Sequence, residues 1–125
     1  MFLFRLVIFL FLLKIFRTAM SDSVTVSSDK NQSSDTSVQQ NIDTDDVTLT
    51  VSGNAQVDDD AKAVYVSSGV SGAAVIVESG STITTTSGDN GIIADNTTLL
   101  DVTNSGTISA NRRKAIDIYL SLIHI

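Results

Sequence analysis

Three groups of branched aliphatic residues recur along the chain at one internal spacing, and a repeat of this kind restricts the fold more than composition does. The last copy has Leu100 and Val102, then Ile108, then Ile116 and Ile118. The copy before it has Val75 and Val77, then Ile83, then Ile92 and Ala94, and the first has Leu49 and Val51, then Val57, then Val64 and Val66. The steps from Val51 to Val57, Val77 to Ile83 and Val102 to Ile108 are six residues each, and successive copies begin 26 and 25 residues apart at Leu49, Val75 and Leu100. A turn pair, Ser52-Gly53, Ser79-Gly80 or Ser105-Gly106, separates the first two apolar groups each time.

The apolar members are mostly Val and Ile, they alternate with Ser, Thr or Asp, and Gly, Asn and Asp bound the short segments. Side chains branched at Cβ pack on a pleated surface, and alternation with period two turns one face inward. Each repeat therefore offers three short strands joined by turns. One such triangle cannot bury its inner face, but a stacked neighbour covers it. The expected fold is an all-β parallel solenoid of about three coils, with Leu49, Val75 and Leu100 as one ladder and Val57, Ile83 and Ile108 as another.

Residues 1–19 differ from the rest. Phe2 to Leu13 is an apolar run broken only by Arg5 and followed by Lys14 and Arg17. It is shorter than the roughly 20 apolar residues of a membrane-spanning helix and suits the centre of a secretory signal. Three readings stand: an export signal, a short membrane anchor, or a start at Met20 that leaves the segment without meaning. Residues 20–46 are mostly Ser, Thr, Asp, Asn and Gln, with too few apolar side chains to offset an ordering entropy of roughly 1–2 kcal/mol per residue. They are expected to be a polar lead-in or a degenerate capping coil opening on Val24-Thr25-Val26, since terminal repeats are atypical.

Charge is uneven. Between Met20 and Asn111 thirteen acidic residues face only Lys30 and Lys62, which excludes nucleic acid as a partner for this part. Arg112, Arg113 and Lys114 form one basic run, read as a solvated loop because three charges do not make a nucleic-acid site. The chain has no Cys, hence neither a disulfide framework nor a thiolate metal site. The single histidine, His124, lies at the end, so no Ser-His arrangement can be assembled within the repeats.

Asp43, Asp45 and Asp46, and then Asp58-Asp59-Asp60, carry oxygen ligands of the type Ca²⁺ takes. They match neither the EF-hand loop nor the Gly-rich calcium nonapeptide, and turns themselves favour Asp, so they are read as solvated turns. Rows of outward Thr raise the idea of a flat face for ice or a repetitive polysaccharide. Thr82 and Thr84, however, are expected opposite Gln56 and Asp58 in one neighbour and Thr107 and Ser109 in the other, and β-propensity accounts for them. No catalytic, cofactor-binding or metal-binding residue is assigned, and no cofactor is expected.

Asp101-Val102-Thr103-Asn104-Ser105-Gly106-Thr107-Ile108-Ser109, followed by Lys114-Ala115-Ile116-Asp117-Ile118, resembles the degenerate repeat of autotransporter passenger domains. Residues 51–53 with 63–66, and 78–84 with 91–94, are looser versions, so the likeness covers residues 47–118. The resemblance implies a right-handed parallel β-helix on the outside of a Gram-negative cell, followed by an outer-membrane β-barrel, and carries over no functional residue. Residues 119–125 break the period, and Ser121-Leu122-Ile123-His124-Ile125 is similar to a translated sequencing adapter; the other reading is a truncated strand.

The expected function is thus non-enzymatic: a fragment of a secreted or surface-displayed passenger, an adhesin or stalk whose partner is a host glycan or other cell-surface ligand. The alternatives are a polysaccharide-active β-helix enzyme and a phage tailspike or biofilm matrix component, and fold alone does not separate them. Open ends template association, so the isolated chain is expected to aggregate.

Overall fold

The computed structural model describes residues 23–57, 61–87, 89–97 and 99–120. The apolar run at 1–19, Asp58 to Asp60, and the adapter-like residues 121–125 with His124 lie outside the described residues. Twelve strands are present: β1 (Ser23–Val26), β2 (Lys30–Gln32), β3 (Gln39–Ile42), β4 (Thr48–Val51), β5 (Asn54–Val57), β6 (Val64–Val66), β7 (Ala73–Val77), β8 (Thr82–Thr85), β9 (Ile92–Thr97), β10 (Leu100–Asn104), β11 (Thr107–Ala110) and β12 (Ile116–Leu120). No helix occurs among the described residues.

Every strand pairs in parallel with strands of the neighbouring coils, in sheets of order β1-β3-β6-β9-β12, β10-β7-β4-β2 and β11-β8-β5. The chain is a three-sided β-solenoid. Three complete coils run β4-β5-β6, β7-β8-β9 and β10-β11-β12, and an irregular coil of β2, Thr36 and β3 precedes them, with Thr36 joined to Ala55 by one isolated bridge. Residues 23–42 are ordered by neighbours rather than by apolar content: Asp29 Oδ1 accepts from the Thr48 amide at 2.8 Å and Asp35 Oδ1 from the Asn54 amide at 3.0 Å. Both carboxylates thus hold the start of a strand in the next coil.

The interior is a column of aliphatic side chains. Ile42, Leu49, Val51, Ala55, Val64, Val66, Val75, Val77, Ile83, Ile92 and Ala94 have no exposed surface. Two expected ladders differ from this packing. Leu49 and Val75 do face each other, but Val75 pairs with Val102, and Leu100 pairs with Ala73. Ile83 pairs with Ile108 on one side and with Ala55 on the other, while Val57 lies beside Thr85. The outward row shifts with it: Thr82 and Thr84 lie beside Asn54 and Gln56, not Gln56 and Asp58, although their pairing with Thr107 and Ser109 is as expected.

The cause is a turn two residues longer in the middle coil. Glu78-Ser79-Gly80-Ser81 connects β7 to β8 where Ser52-Gly53 and Ser105-Gly106 suffice elsewhere. It closes on a Ser81 amide donating to the Glu78 carbonyl at 3.1 Å, with Gly80 at φ 85°. A slip of two leaves the inward parity of a strand intact, so the apolar spacing alone could not reveal it. Val64, Ile92 and Ile116, then Val66, Ala94 and Ile118, stack as the repeat requires. Strand β12 also runs past the expected boundary at 118, with Tyr119 and Leu120 opposite Asp95 and Thr97 across a bulge.

Candidate functional site

Outward residues of the five-stranded sheet carry the chemistry that the inner column lacks. Tyr65 on β6 sits opposite Ile93 on β9, which sits opposite Asp117 on β12; two residues on, Asp95 sits opposite Tyr119. The chain has two tyrosines, and parallel pairing puts both on one face, two strand spacings (~9.6 Å) apart across the sheet and two residues (~6.6 Å) apart along it. Alternation fixes this, because Val64 and Val66 turn inward and leave Tyr65 outside.

Both rings are framed in the same way. Lys62 Nζ lies 5.4 Å from the Tyr65 ring centre and Lys114 Nζ 6.0 Å from that of Tyr119. The Tyr119 hydroxyl donates to Asp117 Oδ2 at 3.1 Å, and Lys114 Nζ reaches Asp117 Oδ1 at 2.8 Å. The Lys114 hydrogen bond, more than that of Tyr119, draws the Asp117 carboxyl below its ordinary range, and the same contact raises the Lys114 ammonium. Burial, and after it the Asp95 carboxylate, pushes the Tyr65 phenol up. Asp117 is therefore held ionised as an acceptor, and Tyr65 is held neutral as a donor. Such a face offers ring surface, hydroxyl donors and carboxylate acceptors to a hydroxylated ligand.

Beneath it the turns into the five-stranded sheet are tied across coils. Asp89 takes Lys62 at 3.4 Å on one side and Arg113 at 3.9 Å on the other. Buried Asn90 accepts from the Lys114 amide at 3.1 Å and donates to Asp117 at 3.4 Å. Arg113 and Lys114 make these contacts from side chains that stay 67% exposed, so the basic run is the solvated segment expected from the sequence.

No protein-family model, curated protein or solved structure matches this chain.

The acidic residues foreseen as turns are placed in one. Asp45 Oδ1 accepts from the Ser71 amide at 2.8 Å, Asp43 Oδ1 from the Thr44 hydroxyl at 3.0 Å, and Asp46 adopts φ 56°. Among the described residues no three His, Cys, Asp or Glu side chains are grouped to hold a metal ion, and Asp58 to Asp60 lie outside them. The Thr-bearing face is hydrogen-bonded internally, Thr82 to Asn54 at 2.9 Å and Thr84 with Ser109 at 3.1 Å. Beside it a shallow groove of about 660 Å³ is lined by Asp35, Thr36, Ser37, Asn54, Gln56 and Thr82. The tyrosine face escaped sequence reasoning because Tyr119 falls where the period was taken to end. The alternating sequence Ile116, Ile118, Leu120 was the available signal, since it continues through Tyr119.

Proposed function

We propose that this chain is part of a non-enzymatic, exported surface protein of the autotransporter passenger kind, displayed by a Gram-negative cell and carried by an outer-membrane barrel. It acts as an adhesin or stalk, and its tyrosine face is the contact for a hydroxyl-rich cell-surface glycan. The observation that carries the reading is the pairing of two framed tyrosines on one flat sheet. A lysine over an exposed ring contributes about 0.5–1 kcal/mol, so a sugar ring can displace it, lay its C–H face on the aromatic ring and present hydroxyls to Asp95 and Asp117.

The motif behind the family likeness supports the scaffold half. Thr103 to Ser109 forms the β10–β11 corner, where Gly106 sits under the previous coil: a Cβ there would come within 2.6 Å of the Glu78 carbonyl oxygen. The test is a glycan array probed with the full chain and with a Tyr65→Ala/Tyr119→Ala double variant. Binding that drops at least tenfold in the variant supports an adhesin. Binding unchanged in the variant sinks the tyrosine face, and release of sugar from any bound glycan sinks the non-enzymatic reading.

A further inference from the structure

The turn between β8 and β9 holds the chain's single Asn-Gly pair, Asn90-Gly91. In such a pair the backbone nitrogen after the asparagine can attack the side-chain carboxamide, and glycine, with no side chain, hinders that attack least. The stack nevertheless requires both residues. A Cβ at Gly91 would come within 2.6 Å of the Ala115 carbonyl oxygen, so only glycine fits between these coils. Asn90 is 3% exposed, and its carboxamide joins the next coil twice, accepting from the Lys114 amide at 3.1 Å and donating to Asp117 Oδ2 at 3.4 Å.

We propose that Asn90-Gly91 is a self-modification site, at which Asn90 loses ammonia when the turn separates from Lys114 and Asp117 and keeps its carboxamide while they stay docked. The Gly91 nitrogen gives up its proton and bonds to Asn90 Cγ; the Cγ–Nδ2 bond breaks, and Nδ2 leaves as ammonia. Water then opens the cyclic imide at either carbonyl. One product is aspartate, and the other is isoaspartate, in which the chain runs through the side chain. Water is the only co-reactant, and nothing is oxidised or reduced.

Docking blocks each part of this reaction. The Gly91 amide donates its hydrogen to the Lys114 carbonyl at 3.2 Å. Both ends of the carboxamide are held, so Cγ reaches the Gly91 nitrogen only by breaking those two hydrogen bonds. The preceding Asp89 is tied down as well, by Lys62 and Arg113 at its carboxylate and by the Thr85 hydroxyl at its carbonyl, 2.6 Å away. Reaction therefore follows the fraction of time for which the turn is open. The products do not fit back. Aspartate at position 90 has no donor for Asp117 and sets a second negative charge beside it. Isoaspartate lengthens the backbone just before β9, where Ile92 must meet Ile116.

The test is peptide mass spectrometry on the full chain aged in mildly alkaline buffer with and without urea, scoring the amide-to-acid mass gain at Asn90 and, as an internal reference, at the exposed Asn104. Asn90 is expected to convert faster than Asn104 in urea and slower than Asn104 in the folded chain. Asp117→Ala removes the acceptor of the carboxamide and is expected to speed conversion of folded Asn90 about tenfold, the worth of one hydrogen bond to a charged group. Asp117→Asn keeps an acceptor and is expected to restore most of the protection. Conversion of Asn90 at one rate with and without urea, conversion no faster than that of Asn104 in urea, or a rate unaltered by Asp117→Ala overturns the inference. Should Asp117→Ala fail to fold by circular dichroism, the parent is followed across rising urea instead. Conversion of Asn90 must then climb with unfolding more steeply than that of Asn104, and parallel curves are equally decisive against the proposal.

Discussion

Single atoms decide where this chain tolerates change, and two glycines separate the causes. Gly106 has no room for a side chain, because the Glu78 carbonyl would lie 2.6 Å from a Cβ. Gly80 has open space but sits at φ 85°, where an L side chain is strained. Gly106→Ala is expected to cost about 1–3 kcal/mol by overpacking against backbone, and Gly80→Ala about 1–2 kcal/mol from the left-handed conformation alone. Denaturant unfolding of both variants measures the difference, and a Gly106→Ala protein as stable as the parent would refute the close approach of the two turns. Tyr65 supplies a second residue-level expectation, on pH. Its folded pKa is raised, so its contribution to stability is complete below the unfolded value of about 10 and is lost as pH rises through the folded value. Ultraviolet titration of tyrosinate is expected to show the Tyr65 transition moving down in Asp95→Asn, since the carboxylate is one of the groups that raises it. For Asp117 the sign is opposite. A depressed pKa gives stability that is present above the unfolded value of about 3.9 and lost on acidification.

One ladder crosses three coils at the level of the element, and its two isoleucines differ in what covers them. Ala55, Ile83 and Ile108 stack in that order; Ile83 is fully buried and Ile108 is half-buried in the last coil. Removing a fully enclosed isoleucine side chain costs about 2–5 kcal/mol. Ile83→Ala is expected within that range and Ile108→Ala well below it, because water already reaches the site. Equal losses by thermal or denaturant melts would mean the tail is covered. The same ladder shows how far the sequence was legible. Strand chemistry, the inward parity of Val51, Ile83 and Ile108, and the solenoid itself follow from alternation and period. Register does not, because Glu78-Ser79-Gly80-Ser81 is two residues longer than its counterparts and a two-residue slip preserves every face. The tyrosine face was illegible for a related reason: Tyr65 and Tyr119 are 54 positions apart and meet only through the pairing of β6, β9 and β12. A sheet edge joins them, and no local motif marks it.

Stability in the whole molecule runs along the stack, since each coil touches only its neighbours. The middle coils have a partner on both sides. The last described coil has one described neighbour, and its inner residues are only partly covered. Local opening is easiest where few apolar contacts hold a segment, so amide exchange should be slowest in β4 to β9 and progressively faster from β10 to β12. The irregular first coil makes the comparison informative. It contains few aliphatic residues, yet Gln32 and Gln40 are buried, both donate hydrogen bonds through Nε2, although Gln32 Oε1 has no partner, and Asp29 and Asp35 cap strands of the coil below. If protection depends on closure rather than on apolar content, β3 exchanges more slowly than β12 despite being richer in polar residues. If apolar content governs, the order reverses. Hydrogen exchange read by mass spectrometry distinguishes the two.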